Sequence, residues 1–425
     1  MSNHSNQLNS LVGAVRNFEK KPTEIRLQKL VFSKDEAEQR RNYHNLLGVI
    51  RHRLLLKHLI SQFCAKPPKP HLNAFLLTAS FQLLESKEEK TRHPKIVHFW
   101  VEQIKKALSI REAKFANAVL RKIADNLLCS LSELEKYGNF STLHSHPQWI
   151  VNRWTDQFGS EASRELLDWN QSLPSVYVHD FSKILSENAL IQPADLGLEH
   201  TQWEDFYKWQ NKPGHPLVSL TEKPLYIQDP STRIAPGLLE KTTGGKILDA
   251  CAAPGGKSVI LAKILGSRIQ KITAVDLSSK RTSMIKENFA RLGIRNTEVA
   301  EHDWESGEPE PLATDYDAVL VDAPCSGAGI IRRHPEIRWR LKSEDYEKLP
   351  LQQLKILSAT SRHVRDGGHL VYSTCSMDSA ENQEVIDQFL RTEEGSDFRM
   401  ISGATHLSPK TQHDGVGAFL LQKKS

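Results

Sequence analysis

From Gly244 to Ser425 the chain alternates short apolar runs with stretches of helical period. The runs fall at 246–249, 272–276, 297–300, 318–322, 369–374 and 417–422, and helical patterns at 258–265, 279–292, 344–364 and 380–390 separate them. A strand covered by helices on both faces reads as a continuous apolar run, and regular strand–helix alternation implies a mostly parallel sheet. This part is therefore expected to be an α/β domain. In such sheets ligands bind beyond the carboxyl ends of the strands, so the residues just past each run carry the chemical information.

Upstream the pattern changes. From Leu27 to Leu128 it is helical throughout: 42–64 has apolar residues at three-to-four spacing, 72–84 is apolar on nearly all sides and reads as a central helix, and 94–108 and 112–128 are amphipathic. Further on, 147–173 looks helical, short strands are expected at 176–178 and 225–227, and Lys212 to Pro216 (KPGHP) reads as a loop. A chain of 425 residues exceeds one ordinary core. The expected division is an all-α domain over 1–140, a small mixed connecting domain over 141–235 and the α/β domain over 236–425.

The net charge of +5 is unevenly divided. Residues 1–140 hold 24 Lys and Arg against 13 Asp and Glu, an excess of 11, and the remainder is mildly acidic. A basic appendage on an acidic body suits nucleic-acid binding, although a solvated lysine-rich surface has the same composition. No apolar run approaches the roughly 20 residues of a membrane span, and the N-terminus lacks the pattern of a secretory signal. Five scattered cysteines without a CxxC pair argue against a disulfide framework and a structural zinc site. A reducing cytoplasm with free thiols is the expected setting. His144-Ser-His146 reads as solvated loop, and no metal is expected.

After the run ending at Asp249, the segment Cys251, Ala252, Ala253, Pro254, Gly255, Gly256, Lys257 turns the chain into a helical pattern. Glycine suits a turn where backbone approaches a ligand. A phosphate-binding P-loop would need glycine where Cys251 stands, and no GxGxxG is present. The next run ends at Asp276, placed to accept ribose hydroxyls, and the one after it is followed by Asp303, placed to meet an adenine amino group. Glycine turn, ribose acid and adenine acid in that order suit S-adenosylmethionine, whose sulfonium also favours nearby carboxylates. Capping aspartates of an ordinary α/β domain are the alternative.

Two further strand ends carry cysteine: DAPCSGAG at 322–329 and STCS at 373–376. Carbon 5 of cytosine is a poor nucleophile until a thiolate adds at carbon 6. That chemistry needs an activated thiol, a carboxylic group near the amino edge of the ring and help with release. Asp322, Cys325 and Cys375 supply this inventory, and spacing alone leaves open which cysteine attacks. Cys64 and Cys129, on amphipathic helices, read as small buried hydrophobes, while Cys251 lines the cofactor turn. Past Cys325, Arg332-Arg333-His334-Pro335 and Arg338-Trp339-Arg340 mix guanidinium groups with an aromatic ring, which suits phosphates and an unstacked base. A solvated helix start is the alternative.

DACAAPGGK, DAPCSGAG and STCS together resemble the Nop/Sun family of RNA 5-methylcytosine methyltransferases. Gly48 to Arg51, Asn117 to Arg121, Gln228-Asp229 and 331–339 are also similar to family segments, so the resemblance covers nearly the full length. It implies a NusB-like helical RNA-binding N-terminal domain and a Rossmann-like class I methyltransferase domain. It also implies Cys375 as nucleophile and Cys325 in product release, with cofactor contacts at Cys251 to Lys257, Asp276, Asp303 and Asp322. The implied substrate is unassembled small-subunit (16S) ribosomal RNA, acted on by a monomer; a tRNA substrate and a non-catalytic RNA-binding assembly factor are the rivals. Two departures stand out: PSVYVH at 174–179 replaces an Arg-x-Asn segment, and DGVGAF at 414–419 replaces a DGFF. The first bears on RNA contacts and the second on the last strands and the floor of the site.

Overall fold

A computed structural model of the chain describes residues 2–25, 27, 30, 32–33, 35–185, 191–210, 220, 223–242, 244–306 and 312–425. The loop expected at 212–216 lies outside the described residues. The chain forms two compact units, one of residues 1–173 with 331–341 and one of 174–330 with 342–425.

The first unit is helical. Its centre is the helix Pro70–Glu85, in which Phe75, Leu76, Leu77 and Leu83 are fully buried. Helices Ser2–Lys20, Arg53–Ser61, His93–Ala107 and Ile110–Lys136 pack around it, as an element apolar on all sides requires. Residues 42–64 form two helices rather than one, because the chain leaves helical geometry at His52 between Glu36–Arg51 and Arg53–Ser61. Residues 147–173 also divide, into Gln148–Phe158 and Ser160–Gln171, at Gly159 with φ of 81°. This last pair belongs to the helical unit, so compactness does not break at residue 140.

Eleven residues from the middle of the α/β sequence, 331–341, complete this unit. Arg338 is fully buried, with Nη1 donating to the carbonyls of Ser145 (3.2 Å) and His144 (3.3 Å) and Nη2 to that of Asn170 (3.3 Å). Arg332 stacks on Trp169 at 3.8 Å and donates to the Leu173 carbonyl, while Trp339 packs on the helical core and donates to the carbonyl of Ile50. The reading of Arg332, Arg338 and Trp339 as RNA contacts or a solvated helix start is thus corrected: these groups are engaged inside the protein.

The HxH reading is corrected with it. His144 and His146 are buried, and His146 Nδ1 lies 2.6 Å from the carbonyl of His144, to which its N–H donates. Burial, then the neighbouring Arg338, holds His146 well below the ordinary histidine pKa. A local polar pattern gave no sign that a segment nearly two hundred residues away would cover this loop.

The second unit contains two sheets. The smaller is antiparallel and consists of β1 (Tyr177–Asp180), β2 (Leu198–His200), β3 (Phe206–Trp209) and β4 (Leu225–Ile227), in the order β2-β3-β1-β4. It belongs to the same compact unit as the larger sheet. His179, in the segment that departs from the family pattern, is buried on β1, stacked on Phe206 and bonded through Nδ1 to Gln228.

The larger sheet has β5 (Gly245–Asp249), β6 (Ile269–Asp276), β7 (Thr297–Glu301), β8 (Tyr316–Asp322), β9 (Val364–Thr374), β10 (Phe398–His406) and β11 (Val416–Lys423). Its order is β10-β11-β9-β8-β5-β6-β7. The five strands β5 to β9 are parallel, and β11 and β10 are antiparallel additions at one edge. All six strands expected from the apolar runs are present. β10 was missed because its exposed residues need no apolar run: most of it is an uncovered edge. Successive strands run outward from β5 through β6 and β7, and the chain then returns to β8 on the other side. The crevice beyond the carboxyl ends of β5 and β8 is therefore a topological switch point.

Candidate active site

The segment that follows β5 reaches this crevice first. Gly255 adopts φ of 102°, a left-handed conformation open to glycine, and the helix Gly256–Leu265 begins with no side-chain cap. A Cβ on Gly256 would lie 3.0 Å from Gln228 Oε1, so the turn is held closely against β4 and its sequel. Uncapped amide groups at a helix start favour anionic or polar ligand groups.

Asp276 at the end of β6 is almost fully buried. Its Oδ2 accepts the Ala253 amide (2.8 Å), its Oδ1 accepts the Leu277 amide (2.8 Å), and Arg281 pairs with both oxygens. Asp303, beyond β7, is exposed and accepts the Glu305 amide at 3.0 Å. Asp322 at the end of β8 accepts from Ser373 (2.8 Å) and pairs with Lys257 Nζ (2.5 Å). Burial would pull the Lys257 pKa down, but the Asp322 carboxylate outweighs it and holds the ammonium above its ordinary range. The ends of β6 and β8 thus bring two carboxylates, Asp276 and Asp322, onto residues of one glycine turn, while Asp303 beyond β7 bonds only within its own loop among the contacts described. Cys251 lies in the same turn, and burial followed by the surrounding carboxylates pushes its thiol well above the ordinary range.

Cys325 follows β8 and Cys375 follows β9. Because these strands are hydrogen-bonded neighbours with Asp322 opposite Ser373, the two loops emerge side by side. The sulfur atoms lie 3.1 Å apart. The hydrogen bond with Cys375, then burial and the nearby carboxylates Glu381 and Asp322, pushes Cys325 well above the ordinary thiol range. Behind the thiols, the Gly329 amide donates to the Cys375 carbonyl (3.0 Å), and the Gly415 amide donates to the Gly329 carbonyl (2.9 Å). A Cβ at Gly329 would stand 2.3 Å from the Gly415 oxygen. The departing DGVGAF segment thus supplies backbone directly beneath the thiol loops.

All cysteines are free. Cys129 is exposed, and Cys64 is half-buried beyond the end of its helix, so neither is the buried hydrophobe expected. Sequence reading also missed Gln353, Glu381 and Asn382, fully buried beside these loops, and gave no role to Asp249, fully buried at the end of β5 and bonded to Ser258. Asp249, Glu381 and Asn382 show only polarity at a strand end or helix start, which ordinary caps share, and Gln353 is only a polar residue in the middle of the helix Asp345–Ser361. Among the described residues no cluster of three His, Cys, Asp or Glu side chains is gathered for a metal, and no helix is long and apolar enough to cross a membrane.

Residues 236–418 match the family described as 16S rRNA methyltransferase RsmB/F, and residues 7–125 match the NusB family. The chain is 31% identical over 375 residues to the probable ribosomal RNA small subunit methyltransferase B of Bacillus subtilis, covering 86% of this chain and 83% of that protein. It is 30% identical over 410 residues to ribosomal RNA small subunit methyltransferase B of Klebsiella pneumoniae, covering 92% and 91%. Among solved structures, PH0851 shares the fold over 99% of both chains with a TM-score of 0.72 at 20% identity. A methyltransferase homolog protein from Pyrococcus horikoshii shares it over 67% of this chain and 98% of its own, with a TM-score of 0.53 at 22% identity. With identity of this extent over nearly the whole length, the chain belongs to the ribosomal RNA small subunit methyltransferase B family.

Proposed function

We propose that this protein methylates carbon 5 of a cytosine in small-subunit ribosomal RNA through a covalent adduct with Cys375. The observation that carries the reading is the pair of thiols 3.1 Å apart at adjacent strand ends, beside Asp322 and the glycine turn. Cys251 to Lys257, Asp276, Asp303 and Asp322 hold the cofactor in this reading, with Asp276 toward the ribose and Asp303 toward the adenine. S-adenosylmethionine supplies an electrophilic methyl carbon on a sulfonium that departs as a neutral thioether.

The thiolate of Cys375 adds to carbon 6, and the double bond between carbons 5 and 6 moves to leave carbon 5 nucleophilic. Asp322, fixed by Lys257 and Ser373, meets the amino edge of the ring. After carbon 5 has taken the methyl group, its proton passes to a base and the carbon 6–sulfur bonding pair returns to Cys375, restoring the ring. Cys325 assists this release. The ring must leave its stack for a sulfur to reach carbon 6, so the target is an unpaired or flipped cytosine. The basic surface of residues 1–140 serves as the RNA-binding part.

Denaturing gels on an unmodified small-subunit ribosomal RNA transcript test the reading. Cys375→Ala is expected to abolish methylation and leave no covalent RNA adduct, while Cys325→Ala accumulates one. RNA containing 5-azacytidine should trap the unaltered protein, since it has no carbon 5 proton to lose. Adducts from Cys375→Ala alone would reverse the roles, and retained methylation in both variants would refute the thiol mechanism. Methylation of tRNA transcripts with none of ribosomal RNA would move the substrate to tRNA.

A further inference from the structure

Glu381 and Asn382 are neighbours in sequence, both fully buried, and each reaches a different cysteine loop. Glu381 closes the short turn Ser379–Glu381 that follows Cys375. Its carboxylate accepts the Ser326 amide (2.8 Å) and the Ser326 hydroxyl (2.5 Å), the two donors directly after Cys325. Gln353 completes the grip from the helix Asp345–Ser361, with one Nε2 donating both to Glu381 (3.0 Å) and to the carbonyl of Pro324 (2.9 Å). Cys325 is therefore held on both sides by one network. The Glu381 carbonyl is itself pinned by the hydroxyl of Tyr372 at 2.7 Å.

Asn382 faces the other loop. Its Oδ1 accepts the hydroxyl of Thr374 (2.8 Å), and its Nδ2 donates to the carbonyls of Ser376 (3.1 Å) and Asp378 (2.9 Å), enclosing Cys375 between bonded neighbours. The expected helix over 380–390 breaks here, with Asn382 at φ −124° and ψ −101°. Room for the side chain comes from Gly417, where a Cβ would stand 1.8 Å from Asn382 Oδ1.

We infer that Glu381 and Asn382 are positioning residues with separate tasks, Glu381 registering the loop of Cys325 for adduct release and Asn382 registering the loop of Cys375 for attack. The inference rests on the thiol reading proposed above. Two rigidly joined anchors fix the spacing of the thiols better than two independent ones, because a single backbone shift moves both together. A buried carboxylate is costly unless satisfied, and Glu381 meets three donors, so its place here serves the loop rather than the core.

The test separates the two steps in the full-length protein with the same ribosomal RNA transcript. Glu381→Gln keeps the volume but loses the charge and an acceptor. It should form adduct at close to the normal rate yet release it roughly tenfold more slowly, so adduct persists in denaturing gels as it does for Cys325→Ala. Ser326→Ala, which removes one donor to Glu381, should move in the same direction by less. Asn382→Asp places a carboxylate oxygen against two carbonyls. Combined with Cys325→Ala, it should slow adduct formation roughly tenfold or more relative to Cys325→Ala alone. S-adenosylmethionine affinity by calorimetry should stay unchanged in every variant.

Equal slowing of formation and release in both Glu381→Gln and Asn382→Asp would overturn the inference, since merely structural residues would act so. Adduct from Cys325→Ala with none from Glu381→Gln would overturn the Glu381 assignment alone. No adduct from Cys325→Ala would overturn the thiol reading and this inference with it.

Discussion

Arg281 lies across the carboxylate of Asp276, with Nε donating to one oxygen and Nη2 to the other at 3.2 Å. Asp276 is almost fully buried whereas the Arg281 side chain is half exposed, so under the proposed assignment of Asp276 to the ribose the arginine is the partner expected to yield. Asp276→Ala is expected to weaken S-adenosylmethionine binding by about 1.5–3 kcal/mol, roughly tenfold or more. Arg281→Ala is expected to leave the affinity unchanged or to tighten it. Calorimetry on both variants checks the assignment, and unchanged affinity in Asp276→Ala would remove it.

Arg338 distinguishes a structural arginine from an RNA contact. Arg338→Leu leaves the carbonyls of Ser145, His144 and Asn170 without their donor in a dry interior. A loss of roughly 3 kcal/mol or more is expected in denaturant unfolding of the helical unit. The salt dependence of RNA binding should be unchanged under conditions where the variant remains folded. A flatter salt dependence with normal stability would restore the phosphate-contact reading.

Charge on the helix Ile110–Lys136 should behave in the opposite way. Arg111, Lys114, Arg121 and Lys122 are exposed along its first half. Replacing all four with glutamine is expected to weaken binding of ribosomal RNA and to reduce the slope of log affinity against log salt by about 0.7–0.9 for each phosphate left without its cation. Unfolding midpoints should barely move. An unaltered slope would mark this charge as solvated surface.

Asp249 gives a pH signature of unusual sign. Burial, opposed by the hydroxyl of Ser258 at 2.6 Å, lifts its pKa to about 7, whereas an aspartate in an unfolded chain titrates at ~4. Between these values the unfolded chain has lost the proton and the folded chain keeps it, so this group lowers stability as pH rises through that window. Below the window the penalty is absent, and above it the penalty is complete. Asp249→Asn should therefore gain stability relative to the unaltered protein on going from pH 5 to pH 8, by on the order of a few kcal/mol. Denaturant midpoints that differ by the same amount at both pH values would contradict this.

The parallel strands were legible because a strand covered on both faces needs an unbroken apolar run such as 318–321, whose residues are all fully or nearly fully buried. β2 and β3 left no comparable trace: with three and four residues and few buried positions, they have no period to detect. The two cysteine loops were legible through polar, turn-forming neighbours at strand ends, but their separation depends on pairing between β8 and β9, which no local pattern encodes. Arg338 and His146 were misread for the same reason. Their burial is created by contacts across roughly two hundred positions of sequence, and a short polar stretch looks alike whether water or protein surrounds it. Glu381 and Asn382 resembled ordinary helix-start residues until the loops they hold were seen together.

The insertion of residues 331–341 into the helical unit has a consequence for biosynthesis. A ribosome extends the chain at about 5–20 residues per second, so the stretch between residues 173 and 341 takes on the order of ten to thirty seconds to make. Throughout that interval the amino-terminal helices lack the guanidinium that satisfies the carbonyls of Ser145 and Asn170. The part of the protein that is made first is thus among the last to be finished, and its slot for Arg338 stays open until the Cys325 loop has already emerged.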